Sequence, residues 1–115
     1  MKRSDLDNIS ETTIQRAVLN ELQRHGFWVF RQQVIGRRGI RSCATGEPGL
    51  PDLQLPALKA FMEIKHPQNT RGLSIDQQKW RKRAEENGIR VCTIHSVQEA
   101  IDAARKWREE DQLLR

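Results

Sequence analysis

Residues 52–65, DLQLPALKAFMEIK, constrain the fold of this chain more than any other stretch. Apolar and polar residues alternate on both sides of Pro56, as expected of two half-buried strands joined by a short turn. In a hairpin symmetric about that turn, Leu55 faces Ala60, Gln54 faces Phe61, Leu53 faces Met62 and Asp52 faces Glu63. Leu53, Leu55, Ala60, Met62 and Ile64 then lie on one face of the ribbon, and Asp52, Gln54, Glu63 and Lys65 on the other. The pattern is self-consistent, because a slip of one residue would turn the apolar set outward.

This register sets two carboxylates directly opposite each other, with Cβ atoms roughly 4.5–5.5 Å apart. Like charges so placed repel, and three things could compensate: Lys65 beside them, a shared proton, or a bound divalent cation. Asp and Glu oxygens are the hard ligands that Mg²⁺ prefers, with waters and substrate phosphate completing its shell. A metal with a lysine next to it suits phosphodiester hydrolysis: the metal acidifies a bound water and the amine orients the attacking oxygen. The plain alternative is a surface cluster of Asp–Lys–Glu ion pairs.

The charge distribution favours a polyanionic partner. Lys and Arg number 20 against 15 Asp and Glu, a net +5. The excess is concentrated between Arg31 and Arg83, which hold eleven basic residues against four acidic ones. A middle this basic suits phosphates as well as it suits a solvated surface. The 115-residue length predicts a single domain spanning 1–115. No apolar run approaches the roughly 20 residues of a membrane span, and the first residues, MKRSD, lack a signal-peptide core, so a cytoplasmic protein is expected. Cys43 and Cys92 stand far apart without zinc-ligand spacing and read as free thiols.

The remaining elements follow from periodicity and punctuation. Residues 8–24 read as an amphipathic helix through Ile14, Ala17, Val18 and Leu22, stopped by Gly26. Asn8 with Glu11 fits a capping box, with Ser10 as the alternative cap, and Glu11 falls on the helix's inward stripe. Residues 27–34 read as a strand. Residues 36–51, with four glycines, two prolines and three arginines, read as a long loop. A helix near 74–87 closed by Gly88, a strand at 89–94 and a last helix from Ser96 complete the order α-β-β-β-α-β-α. The first three strands predict an antiparallel meander, and the fourth, reached through a helix, predicts a mixed sheet flanked by helices.

Gly49-Leu50-Pro51-Asp52, followed eleven positions on by Glu63-Ile64-Lys65, resembles the PD-(D/E)XK nuclease motif. The chain is similar in particular to the VRR-NUC branch: Glu11 and Gln15 match its N-terminal Glu and Gln, and Leu73-Ser74 with Gln77 and Trp80 match its Ser–Gln–Trp helix start. The resemblance runs from about Asn8 to about Ala104 and implies an α/β fold with a restriction-endonuclease-like core, αβββαβα. It implies that Asp52, Glu63 and the Ile64 carbonyl bind Mg²⁺ or Mn²⁺, with Glu11 assisting directly or through water. Lys65 would be the catalytic lysine and Gln77 a further active-site residue; His66 is outside the motif and reads as a loop histidine.

Small members of this branch resemble phage-type enzymes that act as homodimers on branched DNA such as Holliday junctions. That implies a metal-dependent DNA endonuclease in a bacterial or phage-infected host cytoplasm, with flap, nick or duplex-end cleavage, or a non-catalytic nucleic-acid-binding domain, as alternatives. The Arg37, Arg38 and Arg41 loop, with Arg71 and Lys79, is expected to hold phosphates. Trp107 and the last helix are candidates for a dimer surface.

Overall fold

A computed structural model describes residues 10–32, 49–68 and 72–114. The elements are α1 (Glu11–Arg24), β1 (Phe30–Arg31), β2 (Leu53–Leu55), β3 (Ala60–Ile64), α2 (Ile75–Glu86), β4 (Arg90–Ile94) and α3 (Val97–Leu113). One turn of 3₁₀ helix, Pro56–Leu58, joins β2 to β3. They make an α/β structure with one four-stranded mixed sheet in the order β1-β2-β3-β4. The β1–β2 and β2–β3 pairs are antiparallel and β3–β4 is parallel, with α2 as the crossover.

The hairpin register is the one the alternation predicts: Leu53 opposite Met62, Gln54 opposite Phe61, Leu55 opposite Ala60. Lys59, at φ 50°, turns the chain and donates its N–H to the Pro56 carbonyl. The apolar face of the ribbon forms the core. Leu53, Leu55, Ala60, Met62 and Ile64 are all buried, and they pack with Val18 and Leu22 of α1 and with Ala100, Ile101 and Ala104 of α3. Burying each large side chain contributes about 1.5–3 kcal/mol. Trp107 packs half-buried against this core, so it belongs to the fold of α3.

The opposite face meets α2. Phe61 of β3 meets Trp80 of α2 edge-on, ring centroids 4.8 Å apart. Of α2's residues only Ala84 is fully buried. Parallel pairing sets Val91 beside Phe61 and Thr93 beside Glu63 on this side.

Two boundaries differ from the sequence reading. Ser10, and not Asn8, caps α1: its hydroxyl accepts from the Thr13 N–H, and Asn8 lies outside the described residues. Of the strand expected over 27–34, residues 33 and 34 lie outside the described residues, and among 27–32 only Phe30–Arg31 forms strand. Its partner β2 lies between Pro51 and Pro56, which lack N–H groups, so little ladder is available to it. The Arg37–Arg38–Arg41 segment, Arg71 and Cys43 fall outside the described residues.

Candidate active site

The polar face of the hairpin brings its acids to the end of the sheet where α1 and α2 begin. Asp52 lies just before β2. Its Oδ2 accepts the Ile64 N–H at 2.8 Å, its carbonyl accepts the Gln32 N–H at 2.8 Å, and its side chain also accepts from Gln15 of α1. Glu63, two residues along β3 from Phe61, is the only buried charged residue among those described, 7% exposed. Its Oε1 accepts a hydrogen bond from Gln77 Nε2 at 2.9 Å. Lys65, half-buried and next on the same face, exerts its positive charge on both acids.

Gln77 is placed by its own helix start. Ser74 and Gln77 form a reciprocal capping box: Ser74 Oγ accepts the Gln77 N–H at 3.1 Å and Gln77 Oε1 accepts the Ser74 N–H at 2.9 Å. With its carbonyl oxygen committed to the cap, the amide nitrogen is left to point at Glu63. Gly49 fits the preceding loop against this turn. At φ +84° it occupies the left-handed region, and a Cβ there would collide with the Asp76 carbonyl and lie 2.7 Å from the Gln77 nitrogen. The segment leading to Asp52 and the turn carrying Gln77 are thereby in direct contact.

Glu11 sits in the first turn of α1, exposed rather than turned into the core. It still reaches the site: its Oε1 accepts the His66 N–H at 3.1 Å, and its charge raises the pKa of both Asp52 and Glu63. His66 itself makes a local turn, its Nδ1 accepting the Gln68 N–H at 3.0 Å.

The electrostatics follow from burial and crowding. Burial, above all, pushes the Glu63 carboxyl up to about 7, and the neighbouring Asp52 charge pushes the same way. Asp52 is also raised, burial outweighing its hydrogen bond from Ile64. Lys65 opposes both shifts and Arg81 opposes that of Glu63. Two acids held above their ordinary range despite nearby cations are short of positive charge.

The donor set suits a hard cation that keeps several waters. Two neighbouring carboxylates could supply the sparse protein ligation of Mg²⁺ or Mn²⁺. Among the described residues no three His, Cys, Asp or Glu side chains come together as a metal-binding group, so a zinc cage is not offered there. Asp52, Glu63, Lys65, Glu11 and Gln77 are therefore brought together as the sequence reading expects, and Gln15 joins them through Asp52. Lys79, two residues from Gln77, lies exposed on another face of α2.

Arg81 is the member that sequence reasoning passed over. It is half-buried, donates to Thr93 Oγ1 at 2.8 Å and lines a narrow crevice with Glu63, Gln77 and Trp80. The available signal was its spacing, one helical turn after Gln77, hidden inside the run Arg81-Lys82-Arg83. Cys92, half-buried, has its thiol pushed up to about 12 by burial, so it is not a reactive nucleophile. No helix of the described residues is long and apolar enough to cross a membrane.

No family model matches the chain, and neither a curated protein nor a solved structure matches it.

Proposed function

We propose that this protein is a divalent-metal-dependent deoxyribonuclease that hydrolyses phosphodiester bonds. The observation that carries the proposal is the pair of buried Glu63 and half-buried Asp52, both raised in pKa, with Lys65 on the same sheet face. Asp52, Glu63 and the Ile64 carbonyl would hold Mg²⁺ or Mn²⁺, with Glu11 and Gln15 steadying the residues around them. When bound, the metal acts as a Lewis acid on the phosphate and lowers the pKa of a coordinated water. Lys65 orients the attacking water and offsets negative charge as it builds on the phosphate oxygens. Gln77 holds Glu63 in its ligating rotamer, and Arg81 fixes the neighbouring strand position through Thr93.

The substrate class follows from the motif resemblance and the basic middle of the sequence: DNA, branched or junction-containing, cut by a homodimer in the cytoplasm of a bacterium or phage-infected host. Two symmetric cuts need two sites related by a twofold axis. Arg37, Arg38, Arg41 and Arg71 would hold the phosphates flanking the cut.

The test is cleavage of four-way, flap and linear DNA with Mg²⁺ or Mn²⁺, wild type beside Asp52→Ala and Lys65→Ala. Metal-dependent cutting lost in both variants supports the reading. Equal cutting by Lys65→Ala and wild type contradicts it, and binding without cutting by the wild type selects the non-catalytic alternative. The substrate panel separates junction cleavage from flap, nick or end cleavage.

A further inference from the structure

Beside the acid pair, on the far side of His66, lies an open cavity of about 490 Å³ that the proposed chemistry does not use. Its floor is apolar, made by Ile14 and Ala17 of α1, Pro67, and Val97 at the start of α3, and two imidazoles, His66 and His95, stand at its edge. Its size is within the range of small-ligand sites, as is the combination of an apolar floor with a few polar edges.

Its position ties it to the candidate site. His66 directly follows Lys65, and its backbone N–H is fixed to Glu11 Oε1 at 3.1 Å. The α1 wall that carries Ile14 and Ala17 also carries Gln15, the partner of Asp52. His66, which lines the cavity, is the residue that follows Lys65, so a DNA strand whose phosphate lies at Lys65 passes beside the cavity's edge.

We propose that this cavity takes one unpaired nucleobase of the DNA strand, next to the phosphate that is cut. The inference rests on the nuclease reading and deepens it by naming what the enzyme recognises: a base freed from its stack, as at a junction, flap or frayed end. Every base offers a flat apolar face for Ile14, Ala17 and Val97, and edge groups for the two histidines. Recognition of this kind is tolerant of sequence and selective for unpaired structure. A base inside intact duplex has to leave its stack to enter, which disfavours fully paired DNA.

The experiment measures Kd by fluorescence anisotropy, with Ca²⁺ in place of Mg²⁺, for a flap substrate and a fully paired duplex of equal length. Single abasic positions are walked along the flap substrate. Wild type is compared with Ala17→Trp, which fills the cavity, and with His95→Ala. The expected result is a flap-over-duplex preference that falls about tenfold or more in Ala17→Trp. One abasic position should cause a similar loss in wild type and no further loss in Ala17→Trp, because both remove the same contact.

A flap preference unchanged by Ala17→Trp, with no sensitive abasic position, overturns the cavity assignment while DNA cleavage leaves the nuclease reading standing. A changed oligomeric state in Ala17→Trp, with DNA binding unaffected, overturns it in favour of a surface between copies of the chain. Failure of the wild type to bind any DNA overturns both readings. The abasic walk on wild type, together with His95→Ala, decides the matter if Ala17→Trp does not fold.

Discussion

The two faces of the sheet contrast within single strands. Along β3, Ala60, Met62 and Ile64 enter a dry core closed by α1 and α3, whereas Phe61 and Glu63 turn to α2. On the first face the β2 and β3 residues, Leu53, Leu55, Ala60, Met62 and Ile64, are all apolar and buried. On the second, a buried carboxylate, an amide, a guanidinium and a hydroxyl are held by hydrogen bonds under a helix that buries only Ala84 fully. Stability is concentrated on the core face, and the α2 face spends some of it on keeping Glu63 and Asp52 close together. The period of two along a strand is what allows a chain of this size to do both with the same ten or so hairpin residues.

Substitutions on opposite faces of β3 and its continuation should therefore separate activity from stability. Lys65→Ala should lower metal-dependent cleavage on the order of 10³-fold, a loss in the range seen when a charge-stabilising group is removed. Its melting temperature should stay within a few degrees of wild type. A cleavage rate close to wild type would erase the contrast.

Met62→Ala, three residues away on the other face, should do the reverse. Removing this fully buried side chain is expected to cost about 2–5 kcal/mol in denaturant unfolding, with the rate per folded molecule little changed. A loss below about 1 kcal/mol would mean that the core face is not where stability resides.

Gly49→Ala tests the joint between the two. It adds a Cβ against the Asp76 carbonyl in a left-handed backbone position, a strain of roughly 1–3 kcal/mol. Because the displaced turn carries Gln77, cleavage should fall along with stability. Retention of full activity would show that the loop and α2 move independently.

The smallest effect concerns pH. Glu63 titrates near 7 when folded against an ordinary 4.5, so between those values the folded chain binds more protons than the unfolded one. Without metal, stability then falls as pH rises from about 4.5 through about 7. Glu63→Gln removes this penalty, so its melting temperature relative to wild type should be higher at pH 8 than at pH 4. A difference independent of pH would show that burial does not strain this carboxylate.

Much of this contrast is legible in the sequence. The alternation around Pro56 specifies the hairpin register from Leu53–Met62 to Leu55–Ala60 and brings Asp52 near Glu63, and Ser74, Ser96 and Gly88 mark helix ends through local chemistry. What is less legible depends on which elements meet. Arg81 sits in a run of three basic residues that reads as solvated, and only the packing of α2 on β4 brings it to Thr93. The Gln15 contact to Asp52 needs the position of α1 over the sheet. The inward stripe that includes Glu11 is real as a helical phase, but phase alone does not say where the core ends beneath it.

The central claim, that Asp52 and Glu63 are held together to bind a divalent cation, is tested most directly by calorimetric titration of Mn²⁺ into the wild type and Asp52→Asn at pH 7. The account predicts one saturable site in the wild type, strongly weakened in the variant. Because a carboxyl titrating near 7 must lose its proton to ligate, about half a proton should be released per metal at that pH, read as a dependence of the heat on buffer. No saturable binding in the wild type, or equal binding by Asp52→Asn, would contradict it.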